Sequence, residues 1–318
     1  MKKLILFFFL SVAGFAVTSL TPVDTIEING TSKDMVLSGD TLVIATDMGH
    51  IEVHDIVKKQ KIKEIFLPDV KDFMGDMIPA RVMSTDVING IYLLLSDSGK
   101  GGYSNLYLHK DNKTELLIDH TAKKPVIKAR FIDETHILLG YLGNEVSLYD
   151  TKSKTELYRV QLSESKFSDF ALNEDKSQVV FSCESGVLSV VDVKSGKILK
   201  ELRGQNVDNV YRVDFKGSIV AAAGQDRRGA LYDTKSGKGS YIEGDFLIYA
   251  TALSPSTKKV AFAMDEQNNI SVYKRSSKSK IALLKGQKST LNVIIFKDEN
   301  VLFSASDDNT IMVWDLTK

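Results

Sequence analysis

Alternating apolar and polar positions recur along this chain in runs that close with an aromatic or aliphatic residue and then a charged one. The clearest run is Thr310-Ile311-Met312-Val313-Trp314-Asp315, and weaker copies end at Asp55, Asp111, Asp150, Asp192, Asp233 and Lys274. Successive ends lie 56, 39, 42, 41, 41 and 41 positions apart. Such a period is that of a four-stranded propeller blade. The pattern therefore predicts an all-β fold, a seven-bladed propeller forming a single domain over residues 17–318.

The last repeat predicts how the ring closes. Thr290–Phe296 is almost wholly apolar, as expected of an inner strand covered on both faces. Val301–Ala305 and Ile311–Trp314 then supply a second and a third strand, and no fourth follows. Near the other end of the chain, Thr25–Ile28 alternates but has no repeat of its own. We expect this N-terminal strand to pair beside Ile311–Trp314 and to leave no exposed edge.

The first residues have the features of a secretory signal peptide. Lys2 and Lys3 precede an apolar stretch from Leu4 to Val17, and small residues near Ala16 suit cleavage there, with Ser19 as the second choice. The stretch is short for a membrane span, although an uncleaved anchor is the alternative. The expected product is a monomer in the periplasm, without stable membrane insertion after cleavage.

Charge and cysteine content narrow the classes of partner. Removal of Lys2 and Lys3 from the 41 basic residues leaves 39 against 41 acidic residues, a net charge near −2. Nucleic acid binding normally requires a clustered basic excess, so none is expected. The one cysteine, Cys183, lies in a predicted strand and is expected to be a buried, inert thiol.

Little in the sequence points to catalysis. The five histidines show no metal-ligand spacing, because His50 and His54 lie ~13 Å apart along a strand. No phosphate-binding loop or nucleophile elbow is present. Asp208, Asp214, Asp245 and Asp265 fall near predicted blade ends, where they either form turns or line a channel that holds a cation. We expect no catalytic residue, no metal and no cofactor.

The interval of 56 residues predicts an enlarged second blade. Its extra residues fall in the connection 71–81 and in the turn 96–104 between the second and third strands. Both emerge on one face of an antiparallel blade, so they enlarge one patch of the rim. That patch offers Phe73, Met74, Met77, Arg81 and Tyr103. Methionine, aromatic and arginine side chains suit a protein interface; the alternative is that they only cover the end of the blade.

Trp314-Asp315 and the tight turn at Asp308 resemble the WD40-repeat family. Asp226 occupies the equivalent turn position, whereas Gly204-Gln205 and Gly286-Gln287 stand where that family has Gly-His. The resemblance covers about the whole mature chain, and its motif detail is strong only in the last repeat. It implies a WD40-like propeller in which Asp226, Asp308, Trp314 and Asp315 are structural and a histidine is missing from the buried hydrogen-bond network.

The signal peptide, the repeat layout and the degenerate motifs are also similar to the NapL-type accessory proteins of periplasmic nitrate reductase systems. This resemblance implies a non-catalytic protein-interaction platform that serves nitrate respiration, with nitrate reductase components as partners. Two alternatives stay open. One is a propeller enzyme, lactonase-like or a metal-dependent hydrolase; the other is an envelope-assembly scaffold.

Overall fold

A computed structural model describes residues 17–318, and the predicted signal peptide lies outside the described residues. Four-stranded antiparallel sheets follow one another along the chain as seven blades, each running from an inner to an outer strand. The strands, inner to outer, are Ser32–Ser38, Thr41–Thr46, His50–Asp55 and Gln60–Phe66 in blade 1; Val82–Ile88, Ile91–Asp97, Ser104–Lys110 and Lys113–Ile118 in blade 2; Val126–Phe131, His136–Tyr141, Glu145–Asp150 and Thr155–Gln161 in blade 3; Phe167–Leu172, Gln178–Cys183, Leu188–Asp192 and Ile198–Leu202 in blade 4; Val210–Lys216, Ile219–Gly224, Arg228–Asp233 and Gly239–Glu243 in blade 5; Ala250–Leu253, Lys259–Ala263, Ile270–Lys274 and Ser279–Leu284 in blade 6; and Leu291–Phe296, Val301–Ser306, Thr310–Asp315 and Asp24–Glu27 in blade 7. This arrangement confirms the predicted seven-bladed, all-β propeller.

The ring closes as predicted. Asp24–Glu27 pairs antiparallel with Thr310–Asp315, with Thr25 opposite Met312 and Ile26 opposite Ile311. The strand begins one residue before the predicted Thr25. A strand from one end of the chain thus completes the blade built at the other end, which removes its open edge.

One strand of the blades was not predicted. Thr18–Leu20 pairs in parallel with the outer strand of blade 6, with Leu20 opposite Leu284. Blade 6 therefore has five strands, and Leu20 is buried. Two further elements lie between blades: a short hairpin that pairs Val70–Lys71 with Met77–Ile78, and a 3₁₀ helix at His120–Ala122.

The apolar core lies between the blades. Among the described residues, each hydrophobic cluster joins two neighbouring blades, as when Ala252 of blade 6 and Trp314 of blade 7 share one cluster. The second strands are the most deeply covered, and Leu42, Val43, Ile44 and Ala45 have no exposed surface. Cys183 is buried in blade 4, as expected of a structural thiol. Each blade is therefore stabilised by its neighbours, as in other repeat folds.

Candidate partner-binding site on the rim of blade 2

The connection into blade 2 forms an ordered hairpin with an apolar tip. Asp72 Oδ1 accepts hydrogen bonds from the backbone N–H groups of Met74 at 2.8 Å and Asp76 at 2.9 Å. Gly75, with φ of 96°, completes the turn. This turn directs Phe73, Met74 and Met77 away from the blade, and they are 94%, 74% and 57% exposed. The apolar side chains are therefore presented on a fixed backbone.

The second insertion packs against the first. A side chain at Gly99 would collide with the carbonyl oxygen of Lys71, so the turn between the second and third strands lies directly on the hairpin. Ser98 Oγ closes this turn by donating to the carbonyl oxygen of Tyr103 at 2.7 Å. The two insertions thus meet on one face of blade 2, where the sequence predicted a single enlarged patch.

The five predicted patch residues differ in their surroundings. Tyr103 is half-buried because its ring lies over Gly101 of its own turn. Arg81 is held 3.7 Å from the carboxylate of Asp97. Phe73, Met74 and Met77 remain open to solvent. Two exposed apolar residues were missed by sequence reasoning, Ile78 of the hairpin and Met48 on the neighbouring turn of blade 1. We call Met48, Phe73, Met74, Met77 and Ile78 the blade 2 patch.

Acidic residues of the inner strands join successive blades around a central channel. Each accepts a hydrogen bond from a backbone N–H of the next blade: Asp34 from Thr85 at 3.0 Å, Asp86 from Phe131 at 2.8 Å, Asp169 from Val213 at 3.0 Å and Asp214 from Leu253 at 2.7 Å. Sequence reasoning noted only Asp214 among these four. The recurrence of an acid on the inner strands of blades 1, 2, 4 and 5 was the signal for the others.

Basic side chains cross the channel and pair with these acids. Arg130 of blade 3 passes blade 2 and contacts Asp34 of blade 1 through two hydrogen bonds of 2.7 and 2.8 Å. Lys128 Nζ lies 2.6 Å from Asp169, and Arg212 Nε donates to the carbonyl oxygen of Asn292 at 3.0 Å. The channel encloses about 670 Å³. Its acids are largely occupied by these donors.

Pairing and burial shift the pKa values of two acids in the channel in opposite directions. Burial alone would raise the pKa of Asp34, but the adjacent Arg130 guanidinium lowers it to about 2. Burial raises the pKa of Asp86, which accepts from backbone N–H groups and forms no direct ion pair within residues 17–318. Of the other acids singled out from the sequence, Asp265 accepts from the N–H groups of Gln267 and Asn269, and Asp208 from that of Asn209. These are turn contacts.

A glutamine takes the place of the histidine expected in the buried network of blade 7. Trp314 is fully buried, and its indole N–H donates to Ser304 Oγ at 2.8 Å. Ser304 Oγ in turn donates to Gln287 Oε1 at 2.8 Å, and Gln287 Nε2 donates to Ser306 Oγ at 2.6 Å. The amide of Gln287, which lies just before the inner strand, therefore contacts two serines of the second strand through both of its polar atoms.

The motif acids lie in turns or, for Asp315, at the end of a strand just before a turn. Asp308 accepts from the N–H of Thr310 at 2.9 Å, and Asp315 from that of Thr317 at 2.9 Å. Asp226 accepts from the N–H of Val207 at 2.8 Å and from the side-chain amide of Asn206 at 3.2 Å. Asn206 thus supplies a side-chain donor in blade 5, one position after Gln205.

A polar group that sequence reasoning missed lies in blade 1. Glu52 is fully buried between His50 and His54, and its carboxylate accepts from His54 Nε2 at 2.8 Å and from the Asn29 N–H at 2.8 Å. On the adjacent outer strand, Glu64 lies directly opposite Glu52. His50, Glu52 and Glu64 place three metal-ligand atoms within 4.8 Å of one another. The signal was the alternation His50-Ile51-Glu52-Val53-His54, which puts three polar side chains on one face of a strand.

In the part of the chain that the structure describes, no helix has the length and apolar character needed to cross a membrane. No family model matches the chain.

The blades, their closing strand and the tryptophan-centred network make this chain a WD40-type β-propeller. It is similar to a guanine nucleotide-binding protein subunit beta-like protein of Encephalitozoon cuniculi, with 26% identity over 54% of this chain and 53% of that protein. It is also similar to SPA1-RELATED 4 and SPA1-RELATED 3 of Arabidopsis thaliana, with 26% and 24% identity over 49% and 48% of this chain. The chain spans about half the length of the first relative, and only 20% and 19% of the other two. None of the three is named as an enzyme.

Proposed function

We propose that the protein is an exported, non-catalytic propeller that binds a protein partner through the blade 2 patch. The observation that carries this proposal is the exposure of Phe73, Met74 and Met77 on a turn ordered by Asp72. Exposed apolar groups gain free energy when a partner covers them, and a fixed backbone reduces the entropy lost on binding. The relatives support a WD40-type propeller, a fold that commonly binds proteins.

The proposed location is the periplasm, and it rests on the N-terminal sequence. Cleavage after Ala16 leaves the strand Thr18–Leu20 intact, whereas cleavage after Ser19 removes two of its three residues. We therefore favour Val17 as the mature N-terminus. Mass spectrometry of the protein recovered from periplasmic extract tests this assignment, and a mature chain that begins at Leu20 would contradict it.

We further propose periplasmic nitrate reductase components as the partner, on the resemblance to NapL-type accessory proteins. The relatives found by comparison do not bear on this role. The test is affinity capture from periplasmic extract of cells grown on nitrate, with quantification of the reductase subunits. The doubly substituted Phe73→Ser, Met77→Asp protein should fail to capture the reductase subunits, whereas Val57→Asp should still capture them. Val57 is also exposed, but it lies in the turn before the outer strand of blade 1, and that turn is on the opposite rim of the propeller.

The capture experiment tests the binding site and the identity of the partner separately. Capture of reductase subunits that both variants retain would remove the blade 2 patch as the binding site. Capture of outer-membrane assembly proteins in their place would favour the envelope-scaffold alternative and refute the nitrate reductase role. The hydrolase alternative gains no support from the channel, since its acids already accept hydrogen bonds from backbone N–H groups and basic side chains.

A further inference from the structure

Blade 1 brings two glutamates directly opposite each other on neighbouring strands. Glu52 is fully buried, and Glu64 faces it from the outer strand. Like charges in this position destabilise a sheet, and a buried carboxylate requires compensation. Lys61 supplies one cation: its Nζ lies 2.5 Å from Glu64 Oε1 and 3.7 Å from Glu52 Oε2. Because Lys61 is on an outer strand and its side chain is 41% exposed, its ammonium group can move into solvent.

His50 is oriented as a metal ligand. Its Nδ1 lies 3.2 Å from the carbonyl oxygen of Met48, and Nε2 faces Glu52. Because a carbonyl oxygen only accepts, a neutral ring bonded to Met48 carries its proton on Nδ1 and has Nε2 free to bind a metal ion. Nε2 lies 3.5 Å from Glu52 Oε1. In a tetrahedral zinc site with bonds of about 2.0–2.1 Å, neighbouring ligand atoms are about 3.3–3.4 Å apart. The histidine and carboxylate are therefore separated by nearly the spacing of two zinc ligands.

The surroundings of the two buried ligands are also those of a metal site. The Asn29 N–H donates to Glu52 Oε1 and His54 Nε2 donates to Oε2, each at 2.8 Å, so both carboxylate oxygens are held in place. Second-shell hydrogen bonds of this kind orient the ligands of bound metals. Phe66 stacks on the His50 ring at a centroid distance of 4.8 Å and shields it from solvent.

We propose that this cluster binds a divalent transition-metal ion of the zinc type through His50 Nε2, Glu52 and Glu64. Lys61 is the cation that the metal displaces, and water completes the coordination. The ion would join the third and outer strands of blade 1. Its role is structural, because two of its three protein ligands are buried away from the central channel.

The test is titration of chelator-treated full-length mature protein with zinc sulfate, followed by calorimetry and by thermal unfolding. One zinc ion should bind per chain and raise the melting temperature. Glu64→Gln should weaken binding by at least about tenfold, since even second-shell changes have effects of that size. Lys61→Gln should tighten binding, because the ion then has no ammonium group to displace. Glu201→Gln is the matched control: Glu201 is a similarly exposed glutamate on the outer strand of blade 4, paired with Arg203.

The Lys61→Gln variant distinguishes a metal site from a purely structural ion pair. Removal of a structural lysine would destabilise the protein with or without zinc and would not raise its affinity for zinc. The proposal is overturned if the unsubstituted protein binds no zinc in the micromolar range. Equal zinc affinity of Glu64→Gln and Glu201→Gln would also overturn it, as would unchanged or weaker binding by Lys61→Gln.

Discussion

Replacement of Arg130 by methionine tests whether ion pairs across the channel hold the ring together. The guanidinium contacts both carboxylate oxygens of Asp34, and the two side chains are only 14% and 5% exposed. Methionine replaces the aliphatic part of arginine but leaves Asp34 as a buried charge without this partner. Breaking a buried pair in this way costs about 3–5 kcal/mol. We therefore expect Arg130→Met to lower the free energy of unfolding by about that amount at pH 7.

The pH dependence of this loss follows from the pKa of Asp34. In the folded protein the carboxyl pKa lies at about 2, below its ordinary value of 3.8. A lowered pKa contributes stability that is present above pH 3.8 and is lost as the pH falls through 2. A difference of this size corresponds to about 2–3 kcal/mol. Without Arg130, burial raises the pKa of Asp34, so the carboxyl is neutralised earlier. The gap between the two proteins should therefore narrow from pH 7 to pH 3.

The assay is urea unfolding followed by the fluorescence of Trp314 at several pH values. Arg203→Met is the matched control, since Arg203 lies 2.7 Å from Glu201 but the two side chains are 60% and 40% exposed. Exposed pairs contribute about 0–1 kcal/mol. Equal losses in the two variants would refute the reasoning, because burial would then not decide the value of the pair. A loss at Arg130 that does not shrink with falling pH would refute the assignment to Asp34.

Two further predictions concern local packing. Gly196→Ala and Gly237→Ala both place alanine at a φ near 70°, but only the new Cβ at position 196 would lie 2.6 Å from the Tyr158 ring. Backbone strain should lower the free energy of unfolding in urea by about 1–2 kcal/mol in each variant, and the collision should lower that of Gly196→Ala by about 1–3 kcal/mol more. Equal losses in the two variants would contradict the steric argument. Trp314→Phe removes the indole donor to Ser304 and should lower the free energy of unfolding by about 1–3 kcal/mol, as measured by circular dichroism. A change under about 0.5 kcal/mol would show that this hydrogen-bond network contributes little to stability.

The number of blades and the closing strand could be predicted because they depend on local signals that the repeat multiplies. The near-identical segments 192–197 and 233–238 adopt the same turn, with Gly196 and Gly237 at φ of 70° and 74°. The parallel strand Thr18–Leu20 could not be predicted in this way. Three residues carry no measurable period, and their pairing is decided by the outer strand of blade 6, which lies far away in the sequence.

The channel and the blade 1 cluster depend on contacts that form only when the ring closes or the strands pair. Arg130 and Asp34 are 96 positions apart, and neither residue indicates the other in the sequence. The repeated acids on the inner strands join neighbouring blades, so their carboxylates accept structural hydrogen bonds. Functional sites are expected where a chain departs from its repeat pattern or from the residue pairing that stabilises its fold. In this propeller the departures are the two insertions of blade 2 and the paired glutamates of blade 1. We therefore expect binding to depend on these two places on blades 1 and 2 and to be insensitive to the acids of the channel.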